Sequence, residues 1–221
     1  MSVPATGRPA VVFAAAPLAA TARLKSRLAQ LEHPFVLAAD GGARTALAFG
    51  LRPDVVIGDL DSIDPATLRE LERTSVPFET YPPDKDATDG QLAVERALAA
   101  QPSELLLLGF LGGPRLDQAL ANVLVLRRVE IPAVLLDESN ECILLRPGAE
   151  HAWRPEPREV NSLIPFEGRV EGVRTRGLRW ALAGDRLEPG DTRGVSNETV
   201  ADEAGVAIER GLLLVTRHFP A

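Results

Sequence analysis

The segment that establishes the fold class is DVVIGDLDS, residues 54–62. It joins a short apolar run to an acidic loop, and Asp64-Pro65 follows as a typical helix start, with an N-cap residue before a proline at the first helical position. An apolar strand that leads through a polar loop into a helix is typical of a parallel sheet covered by helices on both faces. The segment therefore predicts an α/β domain with a ligand site where this strand ends.

The same alternation continues through the first 137 residues. Short runs rich in Val, Leu, Ile and Ala predict strands at residues 10–15, 34–39, 54–57, 105–109 and 133–136. Between them, helical patterns occupy residues 21–31 and 115–128, and a capping box of Thr88 and Gln91 opens a helix that continues to about residue 100. This order predicts a doubly wound, mostly parallel sheet.

The pattern changes near Asp137. Short strands are expected at residues 141–146, 160–165, 169–175, 206–208 and 212–216, separated by turn signals such as Glu167-Gly168. This spacing is typical of a small β-sandwich. We therefore expect an N-terminal α/β domain at residues 1–137 and a C-terminal β-sandwich domain at residues 138–221.

Composition excludes several classes of protein. The chain has 221 residues, of which 45% are hydrophobic and 25% charged, and its net charge of −7 argues against a nucleic-acid binder. Cys142 is the single cysteine, which rules out an intrachain disulfide and favours the cytoplasm. Arg8 and the apolar residues 10–20 admit a secretory signal, but Pro17 interrupts the run and a helix pattern follows. No apolar run reaches the roughly 20 residues of a membrane span.

Two carboxylates follow the strand at residues 54–57 directly. Asp59 and Asp61 are two positions apart, and in an extended segment this spacing turns both side chains to the same side, where they can share a hard cation. A solvated loop with an N-cap is the other interpretation of these residues.

A second acidic run occupies residues 84–89. It sets Lys85 among carboxylates ahead of the helix that Thr88 opens, so Asp89 falls in the first helical turn. Lys85 could accept a phosphate beside a metal, and Asp89 could supply a third carboxylate. A solvated charged loop is the alternative.

Glycine-rich turns follow two further predicted strands. Residues 40–42 read Asp-Gly-Gly, and residues 109–115 contain three glycines before Arg115 at a helix start. Glycine lets backbone approach a phosphate closely, and a helix N-terminus favours an anion. Neither turn is a Walker loop or a Gly-x-Gly-x-x-Gly fingerprint, so each could also be a simple turn.

The predicted β domain holds one more candidate cluster. Trp180 follows Gly177, Leu178 and Arg179, and Ser196-Asn197 lies further along. An indole face can stack on a flat heterocycle or a cation, although a Trp in a small sandwich more often belongs to the core. The histidines show no ligand spacing, and no Gly-x-Ser-x-Gly elbow is present.

Taken together and in this order, the motifs resemble the thiamine pyrophosphokinase family. The matching stretches are Ala39-Asp-Gly-Gly-Ala43, Gly50-x-x-Pro53-Asp54 leading into Gly58-Asp-Leu-Asp-Ser-Ile63, Lys85-Asp86-x-Thr88-Asp89, Leu111-Gly-Gly-x-Arg-Leu-Asp-Gln118 with Asn122, Gly177-Leu-Arg-Trp180, and Ser196-Asn197. Each motif alone is modest, whereas the series of six is specific.

The resemblance implies a homodimer, with sites at the subunit interface, that transfers the diphosphate of ATP to the hydroxyl of thiamine and releases AMP. It implies an Mg²⁺ site and an ATP side. Mg²⁺ would be held by Asp59, Asp61 and Asp89, and the ATP side would comprise Asp40, Gly41, Gly42, Lys85, Asp86, Thr88, Arg115, Asp117 and Asn122. Trp180 would stack on thiamine across the dimer, with Ser196 and Asn197 near its polar atoms.

The same chemistry is expected of these residue types. Diphosphate transfer depends on positioning and charge neutralisation, which carboxylate-bound Mg²⁺, a lysine and an arginine supply. The catalytic set would be Asp59, Asp61, Asp89, Arg115 and Asp117, with Asp89 or Asp117 as a candidate acceptor of the hydroxyl proton.

One residue departs from the family pattern. Pro114 separates Gly113 from Arg115 where the family commonly has Gly-Gly-Arg, which leaves the aim of Arg115 open. Gln118 stands at a frequent His position, a variation that the family also shows.

Three other functions remain as alternatives. In a glycosyltransferase, Asp59-x-Asp61 would hold a metal against a nucleotide-sugar, but the clusters at Asp89 and Arg115 would have no role. A pyrophosphokinase for another hydroxymethyl heterocycle, such as a pterin, would differ in the Trp180 pocket. A non-catalytic thiamine sensor would be expected to lack the metal carboxylates.

Overall fold

The structure is a computed structural model that describes residues 7–82 and 84–220. The chain divides into two compact units, Met1–Glu138 and Ser139–Ala221. Each unit has its own core of buried apolar side chains.

The N-terminal unit alternates strands and helices, as the apolar periodicity predicts. Its strands are β1 (Ala10–Phe13), β2 (Phe35–Ala39), β3 (Val55–Gly58), β4 (Phe78–Thr80), β5 (Leu105–Leu108) and β6 (Ala133–Leu136). Its helices are α1 (Ala22–Ala29), α2 (Gly42–Ala48), α3 (Pro65–Arg73), α4 (Asp89–Ala99) and α5 (Leu116–Leu124), which is followed by a 3₁₀ turn at Val125–Arg128. None of the helices in the described residues has the length and apolar character that crossing a membrane requires.

The strands of this unit pair in parallel in the order β4-β3-β2-β1-β5-β6. The strand order changes direction between β1 and β5: β2, β3 and β4 are added on one side of β1, whereas β5 and β6 are added on the other. In open α/β sheets, ligands bind outside the carboxyl ends of the strands at such a reversal. The topology therefore places the expected ligand crevice after β1 and β5.

Burial explains why the strands contain few polar residues. Every residue of β1 and of β5 is completely buried. Alternate side chains of a strand point to opposite faces of its sheet, so both faces of these strands are covered. The near-continuous apolar runs are therefore confirmed as central strands of a parallel sheet.

Two predicted helix starts are confirmed by their hydrogen bonds. Asp64 Oδ1 accepts from the N–H groups of Ala66 and Thr67, and Pro65 occupies the first turn. Thr88 Oγ1 accepts from the N–H of Gln91 at 3.2 Å, which starts α4 at Asp89. These caps satisfy N–H groups that have no partner within their own helix.

The helix predicted at residues 115–128 differs in two respects. It is α-helical only as far as Leu124 and ends in the 3₁₀ turn. All residues of α5 are described and none is buried, and its apolar stripe lies open, with Leu116 72% exposed and Leu120 and Leu124 each 56% exposed. Its periodic leucines therefore do not pack into the core of the N-terminal unit.

The C-terminal unit is antiparallel. Its strands are β7 (Asn140–Leu145), β8 (Glu150–Trp153), β9 (Val160–Arg176), β10 (Ala183–Leu187), β11 (Asn197–Glu198), β12 (Ala204–Ala207) and β13 (Arg210–His218). The long strand β9 pairs with β11 and β13 through its first half and with β10 and β12 through its second half. Buried apolar residues from these strands form the core, including Trp153, Leu163, Val173 and Leu213.

One expectation for this unit is wrong. The sequence predicts two strands separated by a turn at Glu167-Gly168, but β9 is continuous from Val160 to Arg176. Gly168 has a φ of +65°, and the pairing of β9 with β13 shifts register there. The glycine thus forms a bulge that bends one strand instead of ending it.

Candidate active site

A cavity of about 390 Å³ opens at the carboxyl ends of β1, β2, β3 and β5. This is the edge of the sheet at which the strand order predicts a ligand crevice. The cavity is lined by Ala14, Ala15, Ala16, Pro17, Ala39, Asp40, Asp59, Asp61, Ser62, Thr88, Asp89, Gly90, Gly109, Gly112, Gly113, Pro114, Arg115, Gln118 and Asn122. Of the residues proposed from the sequence for the N-terminal unit, Asp40, Asp59, Asp61, Thr88, Asp89, Arg115 and Asn122 line it.

Asp40 is the deepest acid of the cavity, with only 7% of its surface exposed. It follows β2 with a φ of +42°, its N–H donates to the carbonyl of Ile57, and its Oδ1 accepts from the N–H of Leu60 at 3.0 Å. Burial, together with the neighbouring carboxylates of Asp89 and Asp59, raises the pKa of Asp40 to about 7, against the opposing hydrogen bond from Leu60. Ionising Asp40 is therefore unfavourable in this position, and a cation nearby would favour its charged form.

Asp59 and Asp61 do point to one place, but by a different geometry from the extended segment expected. The chain turns at Leu60, whose φ is +69°, and Asp59 Oδ1 accepts from the N–H of Asp61 at 3.2 Å. That hydrogen bond and the nearby Lys85 lower the pKa of Asp59, whereas the side-chain hydrogen bond with Asp59 and its charge raise the pKa of Asp61. The short polar side chain of Asp59 closes this turn, and the two carboxylates lie close together as expected, although the segment is not extended.

Lys85 is a positively charged residue beside the carboxylates of Asp59 and Asp89. Its Nζ lies 2.9 Å from Asp89 Oδ1 and 3.9 Å from Asp59 Oδ2. Burial lowers the pKa of Lys85, but the hydrogen bond to Asp89 and the charges of Asp89, Asp59 and Asp40 outweigh burial and raise it. Lys85 therefore stays protonated and links the α4 start to the loop after β3.

The donor set fits a hard divalent cation. Asp40, Asp59 and Asp61 each offer a carboxylate oxygen, and these oxygens lie within 4.8 Å of one another. Carboxylate oxygens are the ligands that hard cations prefer, and one ammonium cannot balance the surrounding carboxylates. Asp40, which was expected on the ATP side, supplies the third oxygen of this group, whereas Asp89 borders the group through its ion pair with Lys85.

Arg115 is exposed and held by a neighbour. Its Nε donates to Asp117 Oδ1 at 2.8 Å and its Nη2 to Asp117 Oδ2 at 2.5 Å. This bidentate pair lowers the pKa of Asp117 to about 2. The extra Pro114 leaves Arg115 at the N-cap position of α5 and on the wall of the cavity.

The remaining expected residues of this unit support the cavity without lining it. The N–H of Gly41 donates to Ser62 Oγ at 3.1 Å, which joins the loops after β2 and β3. A side chain at Gly42 would meet the carbonyl oxygen of Phe13 at 2.1 Å, so this glycine lets α2 begin against β1. Among the described residues, Gly41, Gly42, Lys85, Asp86 and Asp117 lie outside the cavity wall.

Asn122 has one polar atom already engaged. Its Nδ2 donates to the carbonyl of Phe110 at 2.9 Å. This bond joins α5 to the start of the glycine loop, residues 109–113. The amide oxygen and the second N–H of Asn122 remain for a ligand.

The candidates of the C-terminal unit gather around Trp180. Its ring is 54% exposed, which makes it a surface residue and not part of the core, and the Arg179 guanidinium lies 5.6 Å from the ring centroid. Asn197 is buried and brackets the Trp180 backbone, since its Oδ1 accepts from the Trp180 N–H and its Nδ2 donates to the Trp180 carbonyl. Ser196, with a φ of +61°, donates its N–H to Ser162 Oγ.

The sequence reasoning missed the wall formed by Ala14–Pro17. These residues carry no chemical group that marks a site, and they follow the first strand, where the apolar pattern simply continues. Their position directly after β1 was the available signal, because every strand end on this side of the sheet faces the crevice. The close approach of Gly109 to the carbonyl of Ala14, which a side chain would meet at 2.3 Å, packs this wall against the glycine loop.

Comparisons with known protein families match both units. The family model described as thiamin pyrophosphokinase, catalytic domain, matches residues 27–135. The model described as thiamin pyrophosphokinase, vitamin B1 binding domain, matches residues 154–213.

Individual proteins give the same result. The chain is 29% identical to thiamine pyrophosphokinase of Bacillus subtilis over 189 residues, which cover 84% of this chain and 88% of that protein. It is 30% identical to thiamine pyrophosphokinase 1 of Oryza sativa over 168 residues, which cover 71% of this chain and 62% of the rice protein. The crystal structure of the Bacillus subtilis enzyme matches 97% of this chain and all of that chain, with a TM-score of 0.86 and 25% identity. Yeast thiamin pyrophosphokinase, at 16% identity and a TM-score of 0.76, shares the fold.

Proposed function

This chain belongs to the thiamin pyrophosphokinase family, and we propose that it transfers the diphosphate of ATP to the primary alcohol of thiamine. The observation that carries the proposal is the carboxylate cluster of Asp40, Asp59 and Asp61 at the sheet reversal of a chain that matches both domains of this family. A glycosyltransferase or a non-catalytic thiamine sensor is not favoured by these matches.

The reaction we propose forms one bond and breaks one. The thiamine hydroxyl oxygen attacks the β-phosphorus of ATP, the bond from that phosphorus to the oxygen bridging it to the α-phosphorus breaks, and AMP leaves. The hydroxyl proton passes to a base. Negative charge gathers on the phosphate oxygens during this step, so catalysis depends on positioning and on opposing positive charge.

We propose that Mg²⁺ is held by the oxygens of Asp40, Asp59 and Asp61, with Asp89 completing the acidic rim. Burial, followed by the charges of Asp89 and Asp59, raises the pKa of Asp40, and the hydrogen bond with Asp59 and its charge raise the pKa of Asp61. These shifts support the assignment, because a bound dication would favour the ionised form of both carboxylates. When bound there, Mg²⁺ supplies positive charge to the phosphate oxygens. Lys85 holds Asp59 and Asp89 in place through its two ion pairs.

On the ATP side, we assign the glycine loop and α5 to the phosphates. Gly112 and Gly113 expose backbone to the cavity, and Arg115 lies on its wall as an exposed cation held by Asp117. A carboxylate with a pKa of about 2 is a weak base, so Asp117 suits a positioning role better than proton transfer. Asp89, which lines the cavity, is then our candidate for accepting the hydroxyl proton.

On the thiamine side, we assign Trp180 as the stacking surface. Its exposed ring suits a flat cationic heterocycle. Both polar atoms of the Asn197 amide are hydrogen-bonded to the Trp180 backbone, so we expect Asn197 to orient that residue. Ser196, the residue before Asn197, stays our candidate for a contact with the polar atoms of thiamine.

We further propose a homodimer. The exposed leucines of α5 and, in the C-terminal unit, the exposed Ile164, Trp180, Val195 and Val200 are apolar side chains that a second copy could cover. The family resemblance implies sites at the subunit interface, and we propose that the partner supplies Trp180. The lone Cys142 supports a cytoplasmic location.

A turnover assay tests the function. The full-length chain with ATP, Mg²⁺ and thiamine should release AMP and thiamine diphosphate in equal amounts, whereas a nucleotide-sugar should give no transfer. Asp59→Ala should nearly abolish turnover at every Mg²⁺ concentration. A normal rate in that variant would contradict the metal site, and product formed only from a pterin alcohol would change the acceptor.

A further inference from the structure

Gly58, the last residue of β3, lies directly behind the carboxylate of Asp40. A side chain at Gly58 would place its first carbon 1.9 Å from Asp40 Oδ1, 2.4 Å from Cγ and 2.8 Å from Oδ2. Carbon atoms do not approach other heavy atoms this closely in folded proteins, so a methyl group and the carboxylate cannot share this space. All three atoms of the carboxylate are involved, and a small shift of one of them would not relieve the overlap.

Hydrogen bonds hold the backbone of Asp40 in place. Its N–H donates to the carbonyl of Ile57 and its carbonyl accepts from Ala43, so it is tied to β3 on one side and to α2 on the other. Its φ of +42° is a left-handed conformation held by these contacts. A group at Gly58 would therefore have to turn the Asp40 side chain away, which would break the hydrogen bond from Leu60 to Oδ1.

The backbone of Gly58 is fixed as well. Its carbonyl accepts from the N–H of Tyr81 at 3.0 Å, and it pairs with Thr80 in the parallel ladder to β4. Its φ of +145° is a conformation that residues with side chains rarely adopt. Hydrogen bonds thus fix the backbones of both Asp40 and Gly58, so the distance between the two residues cannot increase easily.

We infer that Gly58 is a positioning residue for the acidic cluster: its missing side chain is the space that holds the Asp40 carboxylate within reach of Asp59 and Asp61. Gly58 does not line the cavity, so it acts through Asp40 and touches no substrate. This inference rests on the proposed function for its catalytic meaning. Its structural content, the coupling of Gly58 to the Asp40 carboxylate, is independent of the reaction.

The first test measures cation binding to the full-length protein without nucleotide. Mn²⁺ serves as the probe, because its electron paramagnetic resonance signal distinguishes free from bound ion. Gly58→Ala should weaken Mn²⁺ binding by about 10–100-fold, the usual cost of disturbing residues that support metal ligands. Unchanged Mn²⁺ affinity in a folded Gly58→Ala variant would overturn the inference.

Gly50 supplies the matched control. It also has a positive φ, +76°, but a side chain there would meet nothing within 4 Å. Gly50→Ala therefore places a side chain at a positive φ without the overlap. It should lower the unfolding temperature and leave Mn²⁺ affinity unchanged.

A double-mutant cycle separates the carboxylate from the backbone. Asp40→Gly removes the carboxylate and tolerates the positive φ, so adding Gly58→Ala to it should cause no further loss of Mn²⁺ affinity and should lower the unfolding temperature less than Gly58→Ala does in the unmodified chain. Equal losses in both backgrounds would sink the inference.

The cycle also covers a folding failure. If Gly58→Ala alone does not fold and Asp40→Gly/Gly58→Ala does, the overlap with the carboxylate is the cause and the inference stands. If neither folds, glycine is needed by the backbone itself and the inference is wrong. The thiamine assay on the unmodified chain tests the proposed function separately, since the difference in unfolding temperature between the two backgrounds does not depend on turnover.

Discussion

Single residues of the acidic cluster owe their properties to their neighbours. Asp40 has the same side chain as Asp59, yet the pKa of Asp40 is raised to about 7 and that of Asp59 is lowered. The difference arises because Asp40 is buried beside other carboxylates, whereas Asp59 accepts a backbone hydrogen bond and faces Lys85. Position therefore separates two chemically identical groups.

The raised pKa of Asp40 predicts how stability depends on pH. The folded protein holds this proton up to about pH 7, and the unfolded chain releases it near 3.8, the ordinary pKa of an aspartate. Between these values the native state binds more protons, so the Asp40 contribution to the free energy of unfolding falls as pH rises from about 4 to 7. Asp40→Asn cannot ionise and should lose this part of the slope.

Urea unfolding of both proteins in the presence of a chelator measures the difference. The stability of the unmodified protein relative to Asp40→Asn should decline across that window and level off above it. Parallel profiles would contradict the assignment of the proton to Asp40. Adding Mg²⁺ should flatten the decline, because a bound dication favours the ionised carboxylate.

Trp180 is the residue to which we assign recognition of the thiamine ring. Trp180→Ala should weaken thiamine binding by about tenfold, because the stacking surface for a cationic ring is lost, and should leave ATP binding nearly unchanged. Calorimetric titration of each ligand measures both affinities, and Trp180→Phe should keep part of the thiamine affinity. An equal loss for the two ligands would refute the role of this ring.

At the scale of secondary structure, α5 has an amphipathic sequence but no partner for its apolar face within the N-terminal unit as described. Its leucines recur with helical spacing, which predicts a buried face, but they are exposed in this chain. An amphipathic helix gains most of its stability from packing its apolar face. A second copy that covers this face would resolve the disagreement.

Leu120→Asp tests the contact in the proposed dimer. A carboxylate on that face should raise the dimer dissociation constant at least about 100-fold, since two leucines per dimer would lose their burial. Analytical ultracentrifugation measures the change. Ser26→Asp, an exposed substitution on α1, is the control and should leave assembly unchanged. A Leu120→Asp protein that sediments like the parent would exclude this face as an interface.

At the scale of the whole molecule, the residues that we assign to ATP and to thiamine belong to different units. The acids and the glycine loop belong to the N-terminal unit, and Trp180 belongs to the C-terminal unit. On the proposed dimer, the two halves of one site would come from different subunits. In that arrangement, activity would require assembly of the dimer.

Mixed dimers test this requirement. Asp59→Ala and Trp180→Ala subunits, coexpressed with different tags and purified as the mixed dimer, should recover about half of the parent activity, because one of the two sites then combines native Asp59 with native Trp180. Each variant alone should be impaired. If the activity of the mixed dimer is no higher than the average of the two single variants, Asp59 and Trp180 of one site come from the same subunit.

Much of the fold was predictable from local chemistry. The apolar runs identified β1, β2, β3, β5 and β6, and Asp64 and Thr88 identified two helix starts, since periodicity and capping depend on neighbouring residues. Short edge strands such as β4 and β11 were missed because few residues define them. Gly168 was read as a turn because a glycine with positive φ looks the same in a turn and in a bulge.

The amino-acid sequence was sufficient for the fold class, for the family, and for the identity of the acids that follow β2 and β3. What it left open was which of those acids meet. Asp40 lies about 20 residues from Asp59 and Asp61 in the chain, and it joins them because β2 and β3 pair in parallel, Asp40 takes a left-handed φ, and Gly58 leaves room for its carboxylate. The shifted pKa values and the open face of α5 likewise depend on burial, which is a property of chain segments packed together and not of any one of them.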